Sequence, residues 1–255
     1  MVWRTVCYTV SVMPPLPAVD PTAPFDPVAI ARQTGAFEGR AAEAILAWVM
    51  DALGHLRVGC TSAFGPEGCV LADLVRRRWP DTPIYTIDTG LLFEASVEVR
   101  RAHAARGARV VVVEPLVDLR TQAGTHGPAL WDRDPDACCA LRKVAPMRRI
   151  LDRLDVWITA IRRDQAPTRA NTPVLSVARR ADGSAVLKVA PFVRWTRKDT
   201  WRYLLDHQVP YNRLLDEGYD SIGCRPCTVP SAGAGGERAG RWRGRAKTEC
   251  GIHNL

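Results

Sequence analysis

The feature that most constrains this chain is an alternation of short apolar runs with longer segments of helical periodicity. Four apolar runs predict strands, at residues 56–61, 83–88, 109–114 and 156–161. Five segments predict helices, at residues 41–53, 68–79, 93–106, 136–154 and 197–207. Alternation of this kind predicts an α/β fold with a parallel twisted sheet flanked by helices. Ligands of such sheets bind beyond the carboxyl ends of the strands.

The length of 255 residues suits one large α/β domain with appendages. We predict three parts. Residues 1–25 are proline-rich and predict a disordered leader. Residues 26–227 hold the alternating pattern and predict the folded domain. Residues 228–255 are rich in Gly, Arg and Ser, show no periodicity and predict a flexible C-terminal tail.

The charge balance favours anionic partners. The chain carries 35 Lys+Arg against 27 Asp+Glu, a formal net charge of +8. It has no run of five or more basic residues, so no nucleic-acid partner is predicted. No apolar stretch approaches the ~20 residues that span a bilayer, and the leader lacks the apolar core of a signal peptide. We therefore predict a cytoplasmic protein without a membrane partner.

The cysteines are the strongest chemical signal. Eight cysteines in a reducing compartment point to metal binding or catalysis. Cys138 and Cys139 are adjacent, and Cys224 and Cys227 form a Cys-x-x-Cys pair. Zinc ligands are usually spaced by two to four residues, whereas a cluster offers separate irons to adjacent thiolates. The spacing favours an iron–sulfur cluster, with a zinc site or unrelated buried thiols as the alternatives.

The other cysteines differ in their surroundings. Cys60 lies in a predicted strand and Cys69 in a predicted helix, so we expect both to be small buried hydrophobic residues. Cys250 lies five residues from the end, where no core needs it. It is either incidental or a reactive thiol that the tail brings to a site. Basic neighbours such as Lys247 favour the thiolate form of a reactive cysteine.

Candidate anion-binding residues follow the predicted strands. Arg162, Arg163 and Arg169 come after the fourth strand, and the planar guanidinium matches phosphate and sulfate. Ser62 follows the first strand in a glycine-containing turn, which can present backbone N–H groups to phosphate. Asp88 ends the second strand and either binds a ribose or caps a helix. The alternative for Arg162, Arg163 and Arg169 is that they are solvated surface residues.

Seven segments, taken together, resemble the assimilatory adenylyl-sulfate (APS) reductases of the sulfonucleotide reductase family. They are TSAFGPEG, IDTGLLF, CCALRKVAPM, ITAIRRDQAPTRAN, YDSIGCRPCT, ERAGRW and KTECGIH. They occur in the family's order and cover roughly residues 40–255. The resemblance implies an adenine nucleotide alpha-hydrolase-like fold, related to the pyrophosphate-loop ATPases. It makes residues 26–227 a nucleotide-binding and iron–sulfur reductase domain.

The resemblance also implies roles for individual residues. A [4Fe–4S] cluster is expected on four cysteines: Cys138, Cys139, Cys224 and Cys227. Cys250 is expected to be the nucleophile, carried by the tail. Substrate contacts are expected from six residues: Ser62 and Asp88 near the adenosine, Lys143 between cluster and substrate, and Arg163, Arg238 and Arg241 on the phosphate and sulfate.

The implied reaction is the reduction of adenylyl sulfate to sulfite and AMP in assimilatory sulfate reduction. The electron donor is thioredoxin or a similar dithiol protein, and the intermediate is a cysteine S-sulfonate. The sequence departs from the family's usual SFSGAED turn, because Pro66 removes one N–H donor there. A tRNA-thiolating enzyme and a zinc-binding regulator remain the rival interpretations. A homo-oligomer and the exclusion of the 3′-phosphorylated substrate stay open.

Overall fold

A six-stranded sheet forms the centre of the fold in this computed structural model, which describes residues 13–231 and 235–255. The strands are β1 Val58–Thr61, β2 Ile84–Ile87, β3 Val110–Val113, β4 Val156–Thr159, β5 Leu175–Arg179 and β6 Ala185–Val189. Their order is β3-β2-β1-β4-β6-β5. All neighbours pair in parallel except β5, which runs antiparallel to β6. The predicted sheet and its first four strands are confirmed.

Helices flank this sheet. They are α1 Pro27–Ala31, α2 Ala42–Leu53, α3 Pro66–Arg78, α4 Glu94–Ala105, α5 Leu119–His126, α6 Leu130–Arg133, α7 Pro135–Cys139, α8 Ala145–Leu151 and α9 Arg197–Asp206. The predicted helices correspond to α2, α3, α4, α9 and the α7–α8 region. No helix in the described part of the chain is both long and apolar enough to cross a membrane.

The pair β5 and β6 was not predicted. Strand β5 lies at the edge of the sheet, and its burial follows no regular alternation: Leu175 and Ala178 are buried while Arg179 is exposed. Strand β6 contains Lys188, which interrupts an otherwise apolar run although its side chain is buried. Short edge strands with charged residues give a weak sequence signal.

One long predicted helix, residues 136–154, is three pieces in the structure. Helix α7 passes into a π-helical turn, Ala140–Val144, which passes into α8. Pro146 lies in the first turn of α8, and a proline there removes an N–H donor and crowds the carbonyl four residues earlier. The wider π turn relieves that crowding. It lies between the adjacent cysteines and the rest of the helix, and the side chains of Arg142 and Lys143 on it are buried.

The first half of the predicted leader, residues 1–12, lies outside the described residues. Residues 13–25 form no helix or strand, as expected of a leader. However, Leu16, Val19 and Phe25 pack against the core, and the Trp48 indole N–H donates to the Pro17 carbonyl at 2.7 Å. These thirteen residues therefore lie against the domain.

The described part of the predicted tail makes several specific contacts with the domain. Thr228 forms an isolated antiparallel bridge with Arg241, and Trp242 is buried. The His253 ring lies parallel to the Trp157 ring on β4, with 5.9 Å between centroids. Single anchoring residues hold this segment, and they leave no periodic pattern in the sequence. The tail is therefore folded over one end of the sheet.

We predict that Gly59→Ala in β1 destabilises the protein. The new Cβ would lie 2.7 Å from Leu154 Cδ2 and 3.0 Å from Tyr85 Cε2, both buried. Overpacking of this kind costs about 1–3 kcal/mol of unfolding free energy, measured by urea denaturation. The matched control is Gly124→Ala in α5, where no atom lies within 4 Å and helix propensity favours alanine by up to ~1 kcal/mol. Equal stability of the two variants would contradict the prediction.

Candidate active site

A cavity of about 230 Å³ opens at the carboxyl ends of β1, β2 and β4. This is the edge at which the strand pattern predicted a ligand. The loops after these strands line one side, and the tail lines the other. The polar side chains that face the cavity include Ser62, Lys143, Arg169, Arg238, Arg241 and Cys250. The structure thus brings together four of the six predicted substrate contacts and the predicted nucleophile.

The loop after β1 is shaped by close contacts. The Ser62 hydroxyl accepts a hydrogen bond from the Phe64 N–H at 2.9 Å, and Phe64 adopts a left-handed φ of 53°. A Cβ on Gly68 would lie 2.4 Å from Ser62 Oγ, so only glycine allows this approach. Pro66 is the first residue of α3, a position whose N–H has no partner within the helix. The departure from the family's turn is therefore compatible with the helix.

The four paired cysteines meet beside this cavity. Cys138 and Cys224 belong to one buried apolar cluster with Leu91 and Leu130, and Cys227 packs against it. Burial raises the pKa of Cys138, and the nearby thiols of Cys224 and Cys227 raise it further. Burial also raises the pKa of Cys139 to about 11, with Lys143 opposing that shift. The two pairs, 85 positions apart in sequence, are neighbours in space.

The donor set decides which metal group these thiols suit. Among residues 13–231 and 235–255, no three His, Cys, Asp or Glu side chains converge as ligands of one metal ion. Four thiols are the ligand set of a [4Fe–4S] cluster, and they also occur around structural zinc. The Thr89 hydroxyl lies 3.3 Å from Cys224 Sγ, a contact suited to a ligating sulfur. The four cysteines therefore have the chemistry that an iron–sulfur cluster requires.

Four cations surround one buried tryptophan of the tail. Arg241 lies 4.6 Å from the centre of the Trp242 ring, Lys247 5.5 Å, and Lys143 and Arg238 both 5.8 Å. Cation–π attraction to the indole offsets part of the repulsion among these groups. Trp242 was not singled out in the sequence, although it ends the ERAGRW segment of the resemblance. The arrangement concentrates positive charge beside the cavity.

Two of these cations, Lys143 and Arg238, remain charged. Burial lowers the pKa of Lys143, but Cys224 and Cys250 outweigh that effect and leave it raised. Burial, with Arg169 and Arg241, lowers the pKa of Arg238 to about 10, which still leaves it protonated at neutral pH. The buried Nε atoms of Arg238 and Arg241 have no hydrogen-bond partner among the described residues. Charged groups with spare donors favour an anionic ligand.

Cys250 is half-buried and faces the same cavity. It lies close enough to Cys139 and Lys143 for their charges to interact. Gly251 follows it with a left-handed φ of 87°, which turns the chain beside the cavity. Lys247, the basic neighbour noted in the sequence, forms an ion pair with Asp136. A thiol near a folded chain end thus lies among buried cations.

The structure does not bring Asp88 and Arg163 to the cavity. Asp88 pairs with Arg100 at 3.0 Å and accepts from the Gly90 N–H at 3.0 Å, so it acts in a turn. The Arg163 guanidinium pairs with Glu38 and donates to the Thr172 carbonyl at 2.8 Å. Neither side chain lines the cavity.

Arg169, from the same loop as Arg163, lies at the cavity where Arg163 was expected. Arg169 lines the cavity, whereas Arg162 is wholly buried in ion pairs with Glu67, Asp164 and Glu237. The sequence alone does not show which of the three arginines faces a ligand site, because each follows β4 in an irregular segment. The path of that segment, through two short 3₁₀ turns, decides which guanidinium faces the cavity.

Comparison with known proteins places this geometry in a family. Residues 57–230 match the phosphoadenosine phosphosulfate reductase domain, which is more than half of the chain. Adenosine 5′-phosphosulfate reductase of Bacillus velezensis is 42% identical over 216 residues, covering 84% of this chain and 91% of that protein. Phosphoadenosine 5′-phosphosulfate reductase of Gloeobacter violaceus is 41% identical over 228 residues, covering 88% and 92%.

Solved structures agree. The crystal structure of phosphoadenylyl-sulfate reductase from Candida auris, a phosphate complex, superposes with a TM-score of 0.67 at 27% identity, covering 78% of this chain and 95% of that one. FMN adenylyltransferase of Candida glabrata, 16% identical with a TM-score of 0.51 over 82% and 67% of the two chains, shares the fold alone. The adenine nucleotide alpha-hydrolase-like fold implied by the resemblance is confirmed. Sequence and structure together show that this chain belongs to the phosphoadenosine phosphosulfate reductase domain family.

Proposed function

We propose that this protein reduces adenylyl sulfate to sulfite and AMP, with Cys250 as the nucleophile and a dithiol protein such as thioredoxin as the electron donor. An oxidoreductase that acts on a sulfonucleotide in sulfate assimilation follows from family membership. The finer proposal rests on one observation above all. Cys250 faces the same cavity as Lys143, Arg238 and Arg241.

The nucleotide is proposed to lie over the carboxyl ends of the strands. Ser62 and the loop after β1 border the adenosine side, where Gly65 leaves room for close backbone approach. Arg238 and Arg241 bind the phosphate and sulfate. Arg169 also lines the cavity, but its guanidinium donates to Glu249 and Gln165.

The first step transfers the sulfonyl group to the enzyme. The Cys250 thiolate attacks the sulfate sulfur, a new S–S bond forms, and the bond from sulfur to the AMP oxygen breaks. AMP leaves with that electron pair. Positive charge from Lys143, Arg238 and Arg241 stabilises the oxygens that gain charge as the bond breaks. The product is a cysteine S-sulfonate on the tail.

The second step releases sulfite. A thiolate of the donor attacks the Cys250 sulfur, forming a mixed disulfide, and sulfite departs with the electrons of the broken S–S bond. The donor's second thiol then resolves the mixed disulfide and restores the Cys250 thiol. The donor ends as a disulfide, so the two electrons balance. A reducing cytoplasm suits this chemistry, since the donor is kept as a dithiol there.

A [4Fe–4S] cluster is proposed on Cys138, Cys139, Cys224 and Cys227. When bound by four thiolates it supplies negative charge beside Lys143 and need not change redox state. Lys143 then lies between that charge and the sulfate, where its ammonium group orients the anion. The buried apolar cluster around the thiols keeps water away from them.

The nucleophile and the substrate are tested together by intact-protein mass spectrometry. Without a dithiol, wild-type protein mixed with adenylyl sulfate is expected to gain about 80 Da, the mass of SO₃, and to lose it on addition of thioredoxin. Adenylyl sulfate is expected to react faster than its 3′-phosphorylated form. Relatives of similar identity carry either name, so the measured preference settles the substrate.

Two variants control this experiment. Cys250→Ser is expected to bind AMP normally yet to gain no mass and make no sulfite. Cys60→Ala removes a wholly buried cysteine elsewhere and is expected to gain the mass as wild type does. Turnover by Cys250→Ser, or the added mass on another cysteine, would show the mechanism wrong.

The cofactor proposal predicts loss of iron and sulfide in parallel. Cys139→Ser and Cys227→Ser each remove one of four thiolates, so both are expected to lose the brown colour and absorbance near 400 nm. Iron and acid-labile sulfide are measured on the purified protein. Cys69→Ala, at a buried cysteine in α3, is the matched control and should keep both. Full iron in both Ser variants would exclude this ligand set.

The anion site predicts a contrast among arginines. Charge-assisted hydrogen bonds contribute about 1.5–3 kcal/mol each, so Arg238→Ala and Arg241→Ala should each lower kcat/KM tenfold or more. Arg163→Ala removes an arginine that pairs with Glu38 away from the cavity, and should stay within about threefold of wild type. A loss for Arg163→Ala as large as for the other two would return Arg163 to the site.

A further inference from the structure

The residue before the nucleophile is held in a fork of two arginines. Arg169 donates to the Glu249 carboxylate from Nε at 2.8 Å and from Nη2 at 3.0 Å. Arg238 donates to it from Nη2 at 3.2 Å, and the Thr168 hydroxyl donates at 3.2 Å. The Glu249 side chain is only 17% exposed. Burial raises the pKa of Glu249, but Arg169 outweighs it, so the carboxylate is ionised.

One of these two arginines also contacts the backbone next to Cys250. Besides the carboxylate, Arg238 binds the Thr248 carbonyl at 2.9 Å, so it contacts two successive residues of the tail. Beyond Cys250, the buried ammonium group of Lys188 donates to the His253 carbonyl at 2.9 Å. Cys250 therefore lies between two residues that hydrogen bonds hold in place, Glu249 and His253.

We propose that Glu249 is a positioning residue, whose grip in the Arg169–Arg238 fork holds the Cys250 thiol over the cavity for attack on the sulfonucleotide. The inference rests on the proposed function and extends it, since nothing in that function required Glu249. The fork faces the cavity from the loop after β4 and from the tail itself. One carboxylate thus joins the tail to the rigid sheet edge beside the nucleophile.

Two other ion pairs of the tail, which flank the nucleophile on its N-terminal side, are poor candidates for this role. Lys247 pairs with Asp136 and Arg245 pairs with Asp132, but those two carboxylates are 79% and 57% exposed. Exposed pairs contribute about 0–1 kcal/mol, whereas a partly buried carboxylate with charge-assisted contacts to two arginines is held more firmly. Glu249 is also bonded directly to Cys250 along the chain, so any change in its position moves the thiol.

The two chemical steps make opposite demands on this contact. Attack on the sulfate requires Cys250 at the cavity. Reduction requires the S-sulfonate to meet a thiol of another protein. The sulfonate places new negative charge next to Glu249, and repulsion between the two anions weakens the hold of the fork on the tail. Glu249 is therefore needed for the first step and not for the second.

Single-turnover kinetics of Glu249→Gln test the proposal. At saturating adenylyl sulfate, the rate of the 80 Da gain is expected to fall at least tenfold, because the amide loses most of the attraction of the two arginines. Reduction of the isolated S-sulfonate by a small dithiol is expected to proceed at the wild-type rate. AMP affinity is expected to be unchanged or higher, since Arg169 and Arg238 are released. Asp132→Asn, which removes an exposed carboxylate from a tail ion pair, is the matched control and should leave all three measurements unchanged.

Several outcomes would overturn the inference. One is a Glu249→Gln variant that forms the S-sulfonate at the wild-type rate. Another is a joint fall of sulfonation rate, AMP affinity and thermal stability, which indicates a general structural role. Glu249→Asp keeps the charge and shortens the reach, so it should fold and slow sulfonation at least threefold; a wild-type rate there also overturns the proposal. If the wild-type protein itself gains no mass, the proposed function fails, which is a separate result.

Discussion

Repulsion among buried cations at one end of the sheet is the constraint on which the rest of the site depends. Lys143, Arg238, Arg241 and Lys247 gather around the Trp242 ring, each within 6 Å of its centre. An indole face compensates only part of the cost of bringing such charges together. The remainder calls for anions, and two carboxylates supply part of the balance: Asp136 pairs with Lys247, and Glu249 pairs with Arg238. A phosphosulfate is one more anion of the same kind.

Residues of both charges on the tail form ion pairs that hold it against the domain. Its arginines and Trp242 complete the cationic end of the cavity, while Glu237 and Glu249 pair with Arg162 and Arg169 of the loop after β4. The tail therefore belongs to the site rather than covering it from outside. Apolar contacts add to these ion pairs, since Ile252 and Leu255 pack against the buried cluster that contains Met147 and Trp157. Together these contacts hold the proposed nucleophile beside the cavity.

The backbone beside Cys138 and Cys139 departs from a regular α-helix next to the proposed active site. Pro146 cannot continue a regular helix from α7, and the π turn that results carries Arg142 and Lys143 with their side chains buried. Helices with a π turn are frequent at functional sites, since the extra residue redirects side chains. Here the turn lies between the adjacent cysteines and the body of α8. Two of the proposed cluster ligands, Cys138 and Cys139, thus adjoin the same irregular segment as the proposed sulfate-binding lysine.

Periodicity and local composition determined much of this protein in advance. The strands β1 to β4, most helices, the burial of Cys60 and Cys69, and the pairing of two cysteine motifs all follow from patterns a few residues long, because hydrophobic burial repeats with the geometry of each element. Tertiary structure alone decided the rest. Two features depend on contacts between residues tens of positions apart: which of the three arginines after β4 faces the cavity, and how Trp242 and Glu249 anchor the aperiodic tail. Such contacts leave no local pattern, since a single ion pair or buried ring needs only one residue on each side.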